Sequence, residues 1–164
     1  MSAARKLLLG GGLALVLWAM SYGLWYALFV EHQTLESMGG ALATGFAQAA
    51  ERKMDDAHAS LATYSQTEFD YVRQVDVHSH WGGLAMLLML LGVAFDRVGF
   101  SERARVRLAA LLVAGSFLFP LGVLLQTADH GAGPKALAAA GAAMVIIGLG
   151  AAAVGFARGE ASGR

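Results

Sequence analysis

The chain has 164 residues, of which 57% are hydrophobic and 15% are charged, with a mean hydropathy of +0.55 and a net charge of zero. A soluble domain carries roughly 25% charged residues, so this composition indicates a single-domain integral membrane protein. The absence of cysteine excludes disulfides, thiolate metal sites and thiol nucleophiles.

Four apolar blocks predict four transmembrane helices, because about 20 apolar residues cross the hydrocarbon core of a bilayer. The first block exceeds the core of a secretory signal and lacks a cleavage motif, so we expect an uncleaved signal anchor. The second block, 81–95, is short and must recruit flanking residues such as His80. The predicted spans are 7–30, 79–98, 104–127 and 135–157.

The segment 31–78 between the first two spans is too long for a plain turn. Its apolar residues recur at helical spacing from Leu35 to Tyr64, so we expect one or two amphipathic helices that lie on the outer surface or cap the bundle. Gly39 and Gly40 are the expected break after the first span. The predicted fold is therefore all-α: an integral membrane four-helix bundle with an outer amphipathic helical loop between spans 1 and 2.

Charge is distributed unequally between the two sides of the predicted membrane. The side with both termini and the 96–107 loop has eight basic and three acidic residues, a net charge of +5, whereas the other side has four basic and nine acidic residues, a net charge of −5. The Lys/Arg bias predicts cytoplasmic N- and C-termini, in a bacterial inner membrane. The acidic outer face is suited to a basic periplasmic protein, and no nucleic-acid partner is expected because the basic residues only flank spans.

The last two spans carry recognisable end signals. Ser101 is the expected N-cap of the third span, and Gly131 and Pro134 separate the third span from the fourth. The fourth span presents small residues on one helical face, for which we favour helix packing over contact with a cofactor. The residues of this predicted face are Ala139, Ala143, Ala151 and Gly155.

All five histidines lie on the predicted outer side, and three of them flank the second and third spans. Ionisable groups at a membrane boundary are costly unless they are paired, ligated or wet, which makes these residues site candidates. An extended backbone at 76–80 would place Asp76, His78 and His80 on one face, whereas a helix would separate the two histidines by about 200°. The candidate cofactor and metal ligands are His78, His80, His130, Asp76 and Asp129.

Two kinds of cofactor suit these residues. A haem b could lie between His80 and His130, with His78 as the alternative partner of His130, and copper or zinc could use the histidines together with Asp76 or Asp129. Straight helices would leave His130 more than about 10 Å above His80, so the haem site requires the third helix to end near Gln126 and the 127–133 segment to fold back. The simpler interpretation is that the histidines cap helix ends at the wet interface.

In span number and paired histidines, the chain loosely resembles small b-type cytochrome subunits, and this resemblance implies electron transfer. The sequence-based hypothesis is thus a small membrane redox protein or subunit that binds one haem b near the outer face. The alternatives are a non-catalytic accessory or assembly subunit of a larger membrane complex and a histidine-based copper or zinc protein. No hydrolase, nucleotide-binding or c-type haem motif is present, so an electron-transfer or accessory subunit is favoured over a stand-alone enzyme.

Overall fold

The computed structural model describes residues 1–161, which form five α-helices, one short 3-10 helix and no strand. Four of the helices are long and apolar enough to cross a membrane, so the prediction of an all-α membrane protein with four such helices is confirmed. The elements are α1 (Ala3–Phe29), α2 (Glu31–Ala50), α3 (Met54–Ala94), the 3-10 helix Phe95–Arg97, α4 (Glu102–Leu125) and α5 (Ala132–Ala161).

Helices α1 and α2 together run antiparallel along α3. Gly12 of α1 packs against Ala85, and Gly45 of α2 packs against Ala57. The break between α1 and α2 is a single residue, Val30, whose N–H still donates to a helical carbonyl and whose own carbonyl accepts a helical hydrogen bond. The first three helices are therefore one long helical hairpin.

The predicted break at Gly39 and Gly40 is wrong, because α2 runs through both residues. A Cβ at either position would meet nothing within 4 Å, so neither glycine is required by a close contact. Glycine inside a helix costs about 1 kcal/mol relative to alanine, and the packing of α2 along α3 offsets that cost. Glycine composition alone was therefore an insufficient signal for a turn.

A heptad seam joins α3 to α1 and α2. Residues of α3 at alternating spacings of three and four face the other two helices, as in a left-handed antiparallel coiled coil. The seam residues are Ala57, Ser60, Tyr64, Thr67, Tyr71, Gln74, His78, Trp81, Ala85, Leu88, Gly92 and Phe95. The seam is apolar and fully buried at Trp81, Ala85 and Phe95, but between Glu31 and Asp76 only two small residues, Gly45 and Ala57, are buried.

Helix α3 continues without interruption across the predicted boundary between the outer loop and the second span. Its 41 residues measure about 62 Å, roughly twice the 30 Å hydrocarbon core of a bilayer. Residues 54–77 of α3, which precede His78, pair with α2 and form a projection about 35 Å long. We call this projection, which comprises α2 and residues 54–77 of α3, the stalk. At its tip, the chain reverses through Arg52, which has a φ of 62°.

Helices α4 and α5 form a second, closely packed hairpin. Ser101 caps α4 by accepting a hydrogen bond from the Ala104 N–H at 3.4 Å, as predicted. Helix α4 ends at Leu125, two residues before the predicted end of the third span at 127 and close to the end near Gln126 that a haem site would require. A Cβ at Gly141 would overlap the backbone of α4, so small residues bring the two helices together.

The small-residue face of α5 differs by one helical position from the predicted one. Ala139 and Ala143 are exposed, whereas the buried positions recur with heptad spacing. The heptad face consists of Ala138, Gly141, Val145, Gly148, Ala152 and Gly155. The predicted role in packing is therefore right, and of the predicted residues Gly155 is buried, Ala151 is partly buried against the core, and Ala139 and Ala143 are exposed.

At the end opposite the stalk, polar contacts tie the start of α1 to the segment between α3 and α4. The Ser2 hydroxyl donates to Asp96, the Arg5 guanidinium lies 3.4 Å from the same carboxylate, and the Ala3 N–H donates to Glu102 at 3.0 Å. Carboxylates near the N-terminus of a helix also interact favourably with its dipole. These contacts fix where α1 begins relative to α4.

Candidate functional site at the base of the stalk

An aromatic cluster lies where the stalk meets the four-helix part of the molecule. Trp81 is fully buried at its centre, and its indole N–H donates to the Phe117 carbonyl at 3.2 Å. The Trp18 and Tyr22 rings pack edge-on against Trp81, at centroid distances of 5.8 and 5.6 Å. The cluster thus joins α1, α3 and α4 at one level, next to the carbonyl of Ser116 that Pro120 leaves without an intrahelical donor.

His78 faces α1 across the seam. Its Nδ1 lies 3.0 Å from the carbonyl oxygen of Ala19. Because a carbonyl only accepts, Nδ1 must carry the ring hydrogen for this hydrogen bond to form. A Cβ added to Gly23 would lie 2.6 Å from the same ring nitrogen. The missing side chain at Gly23 therefore makes the space that His78 occupies.

His80 faces α4. Its Nδ1 lies 2.6 Å from the Asp76 carbonyl one turn earlier, and its ring meets the Phe119 ring edge-on, with centroids 4.9 Å apart. A groove of about 310 Å³ beside the ring is lined by Ser79, His80, Gly83 and Leu84. Because residues 76–80 are helical, His78 and His80 point to different neighbouring helices, as expected for positions about 200° apart.

His130 lies in the link between α4 and α5 and contacts the stalk. The Gln66 side-chain amide donates to its Nε2 at 2.9 Å, and Asp70 lies 3.9 Å from the same nitrogen. The adjacent Asp129 carboxylate accepts the Gly131 N–H at 2.8 Å and so shapes the link. The 127–133 segment does not fold back towards His80, and it carries His130 up the side of α3 instead.

The structure does not bring the predicted ligands together. The contacts of His130 with residues 66–70 place it about 15 to 21 Å from His80 along the axis of α3, at 1.5 Å per residue. Within the described part of the chain, no three histidine or acidic side chains are grouped closely enough to hold a metal ion. Of the other two histidines, His32 pairs with Glu36 at 3.1 Å and His58 is exposed on the stalk.

The two sides of the stalk differ in chemistry, a feature that the sequence analysis missed. In an antiparallel coiled coil, the e and b heptad positions of both helices lie on one side, and the g and c positions lie on the other. The e and b side, here called the apolar flank, contains Leu35, Phe46, Met54, Leu61, Val72 and Val75. The g and c side, here called the polar flank, contains Ser37, Thr44, Asp56, Thr63, Gln66, Asp70 and Arg73.

Heptad phase was the signal that could have revealed these flanks. The helical stripe read from Leu35 to Tyr64 combines seam residues with residues beside the seam, which a 3.6-residue period does not distinguish over so short a segment.

Comparison with protein families, with curated proteins and with solved structures found no match to the chain. Functional inference therefore depends on the geometry of the chain itself.

Proposed function

We propose that the chain is a non-catalytic accessory subunit of a larger membrane complex, in which the stalk extends outside a bacterial inner membrane to bind a partner protein. The main support for this proposal is the continuity of α3, which passes from an apolar span into the stalk without a break. Because the helix is continuous, the membrane span holds the tip of the stalk at a fixed position about 35 Å away.

The charge distribution supports an outward direction for the stalk. Seven basic residues of the described chain lie at the end opposite the stalk, and the positive-inside rule assigns that end to the cytoplasm. These residues are Arg5, Lys6, Arg97, Arg103, Arg105, Arg107 and Arg158. Both termini are then cytoplasmic, and the net charge of −5 on the other side attracts a basic periplasmic partner.

The positions of the histidines favour this function over redox chemistry. One haem iron or one copper or zinc ion needs its imidazole ligands within a few ångströms of each other. His80 and His130 are about 15 to 21 Å apart along α3, and His78 and His80 turn towards different helices. The haem b and copper or zinc hypotheses thus gain no support from the geometry.

The test is purification from native membranes in mild detergent, followed by an absorption spectrum, metal analysis and native electrophoresis. We expect a protein without a Soret band, without stoichiometric copper or zinc, and within a larger assembly. Asp56→Lys on the exposed polar flank should weaken the assembly in a salt-sensitive way, whereas the matched variant Asp56→Glu should leave it intact.

Three results would overturn the accessory function. A Soret band that disappears in His80→Ala or His130→Ala would establish a haem protein, and stoichiometric copper or zinc in colourless protein would establish metal binding. Migration of the wild-type protein without any other chain, at every detergent concentration that keeps it folded, would show that no larger complex exists.

A further inference from the structure

The apolar flank is an uncovered surface in a part of the chain that has no lipid around it in the orientation proposed above. Every exposed large hydrophobic side chain between Glu31 and Asp76 lies on this flank, and none lies on the polar flank. Phe46 is 69% exposed and Met54 is 54% exposed. Soluble surfaces rarely leave so many large apolar groups in one continuous band without a partner.

Charge decides what kind of partner fits. The outer side of the molecule has a net charge of −5, yet the apolar flank contains only one acidic residue, Glu68, besides the histidines His32 and His58. A basic protein would be drawn to the exposed acidic residues outside this flank, such as Asp55 and Asp56. A second copy of the chain has the same negative charge, so it can approach only through a nearly uncharged surface.

We propose that a second copy of this chain covers the apolar flank, so that two stalks form a four-helix bundle around a two-fold axis along the membrane normal. Two copies in one membrane have the same orientation, and such an axis places the two apolar flanks face to face. Each flank is then one half of an isologous interface, in which the e-position residues Leu61 and Val75 lie nearest the two-fold axis, each close to the same residue of the other copy.

The size of the flank matches what a stable dimer needs. Six large side chains at about half exposure present on the order of 500 Å² of apolar surface. A typical interface buries roughly 800 Å² per partner, of which about 65% is apolar in homodimers. The two estimates agree, so this flank supplies most of the apolar area of such an interface.

The rest of the described chain leaves the apolar flank accessible, and the stalk has too few buried residues to form a core of its own. Helix α4 and the link that follows it contact α3 from the other side, through Phe119 on His80 and through His130 on Gln66. Between Glu31 and Asp76, the stalk buries only Gly45 and Ala57. A second layer of helices supplies the core that a lone two-helix stalk lacks.

The absence of cysteine allows a direct test in native membranes. Leu61→Cys and Val75→Cys place single thiols at e positions of the apolar flank, and Thr63→Cys places one on the polar flank at about the height of Leu61. A short bis-maleimide should link two chains, each of 17.1 kDa, at least about tenfold more efficiently for the apolar-flank variants, because an interface holds the thiols at millimolar effective concentration.

A second substitution separates a specific interface from random collision. Val75→Asp, added to Leu61→Cys, places two like charges near the two-fold axis and should abolish most of the cross-linking, whereas Thr63→Asp in the same background should preserve it. Equal yields from the two flanks, or no product although maleimide labels both thiols, would overturn the proposal. An adduct of any mass other than a dimer's would also overturn it, because another protein would then cover the flank.

This inference depends on the outward orientation of the stalk but not on the identity of the larger complex. The accessory function concerns the polar flank, and the dimer concerns the apolar flank. Loss of the larger assembly in Asp56→Lys with intact cross-linking at Leu61→Cys would separate the two surfaces experimentally. Failure of the cross-linking alone would leave the accessory function standing.

Discussion

Substitution of Gly23 by alanine should reverse the usual effect of that change in a helix. Alanine in a helix interior normally stabilises by about 1 kcal/mol relative to glycine. At Gly23, however, the new methyl group would lie 2.6 Å from Nδ1 of His78. The ring must turn away and lose its hydrogen bond to the Ala19 carbonyl. Overpacking costs roughly 1–3 kcal/mol and the lost bond about 1 kcal/mol, so the net expected destabilisation is about 1–3 kcal/mol.

The double-mutant cycle with His78→Ala isolates this effect. Without the imidazole ring, Gly23→Ala should become neutral or stabilise by up to about 1 kcal/mol, since only helix propensity then remains. Thermal or SDS-induced unfolding in detergent, followed by circular dichroism, measures all four free energies. Gly10→Ala, where a Cβ would meet nothing within 4 Å, is the matched control. Identical effects of Gly23→Ala in both backgrounds would refute the contact between His78 and α1.

Three further substitutions test other parts of the fold by the same unfolding assay. Tyr22→Phe removes a hydroxyl that is buried without a hydrogen-bond partner in the described chain, so stability should be unchanged or higher by up to about 1 kcal/mol, and a clear loss would reveal a missed partner. Gly141→Val should separate α4 from α5 and cost about 3 kcal/mol or more, whereas Gly150→Ala should be neutral or stabilise by up to about 1 kcal/mol, because its methyl group would face open space. Ser101→Ala should cost about 0.5–2 kcal/mol through loss of the cap on α4, and no loss would mean that the cap does not form.

The membrane part of the fold could be predicted from sequence because its signals are strong and local. Apolar length identified four helices, and Ser101 marked the start of α4 at the observed residue. The stalk was harder to predict, because its helices are held by contacts between residues far apart in sequence. Glycine content suggested a break at Gly39 and Gly40. The actual interruption is a local distortion of the backbone at Val30, a residue type that does not favour helix breaks.

The candidate site could be predicted only as a set of residues and not as an arrangement. Composition and span positions drew attention to the predicted end of the second span, where His78 and His80 lie beside the Trp81 cluster. Whether His80 and His130 share a site depends on where the 127–133 segment goes, and glycine-rich links permit several paths. The contact between His130 and Gln66 joins residues 64 positions apart, and no local pattern encodes such a contact.

Helix α3 extends from the membrane into the stalk as one uninterrupted helix. A distance between two spin labels on α3 measures this continuity. Labels attached through His58→Cys and Leu90→Cys, both at exposed positions of α3 in the cysteine-free chain, can be measured by double electron–electron resonance in vesicles. Dilution with unlabelled chain restricts the signal to distances within one molecule. If α3 is continuous, the distances between the two labelled backbone positions should form a narrow distribution near 48 Å, at 1.5 Å per residue. A broad distribution centred well below that distance would contradict it, because α3 would then break between the span and the stalk.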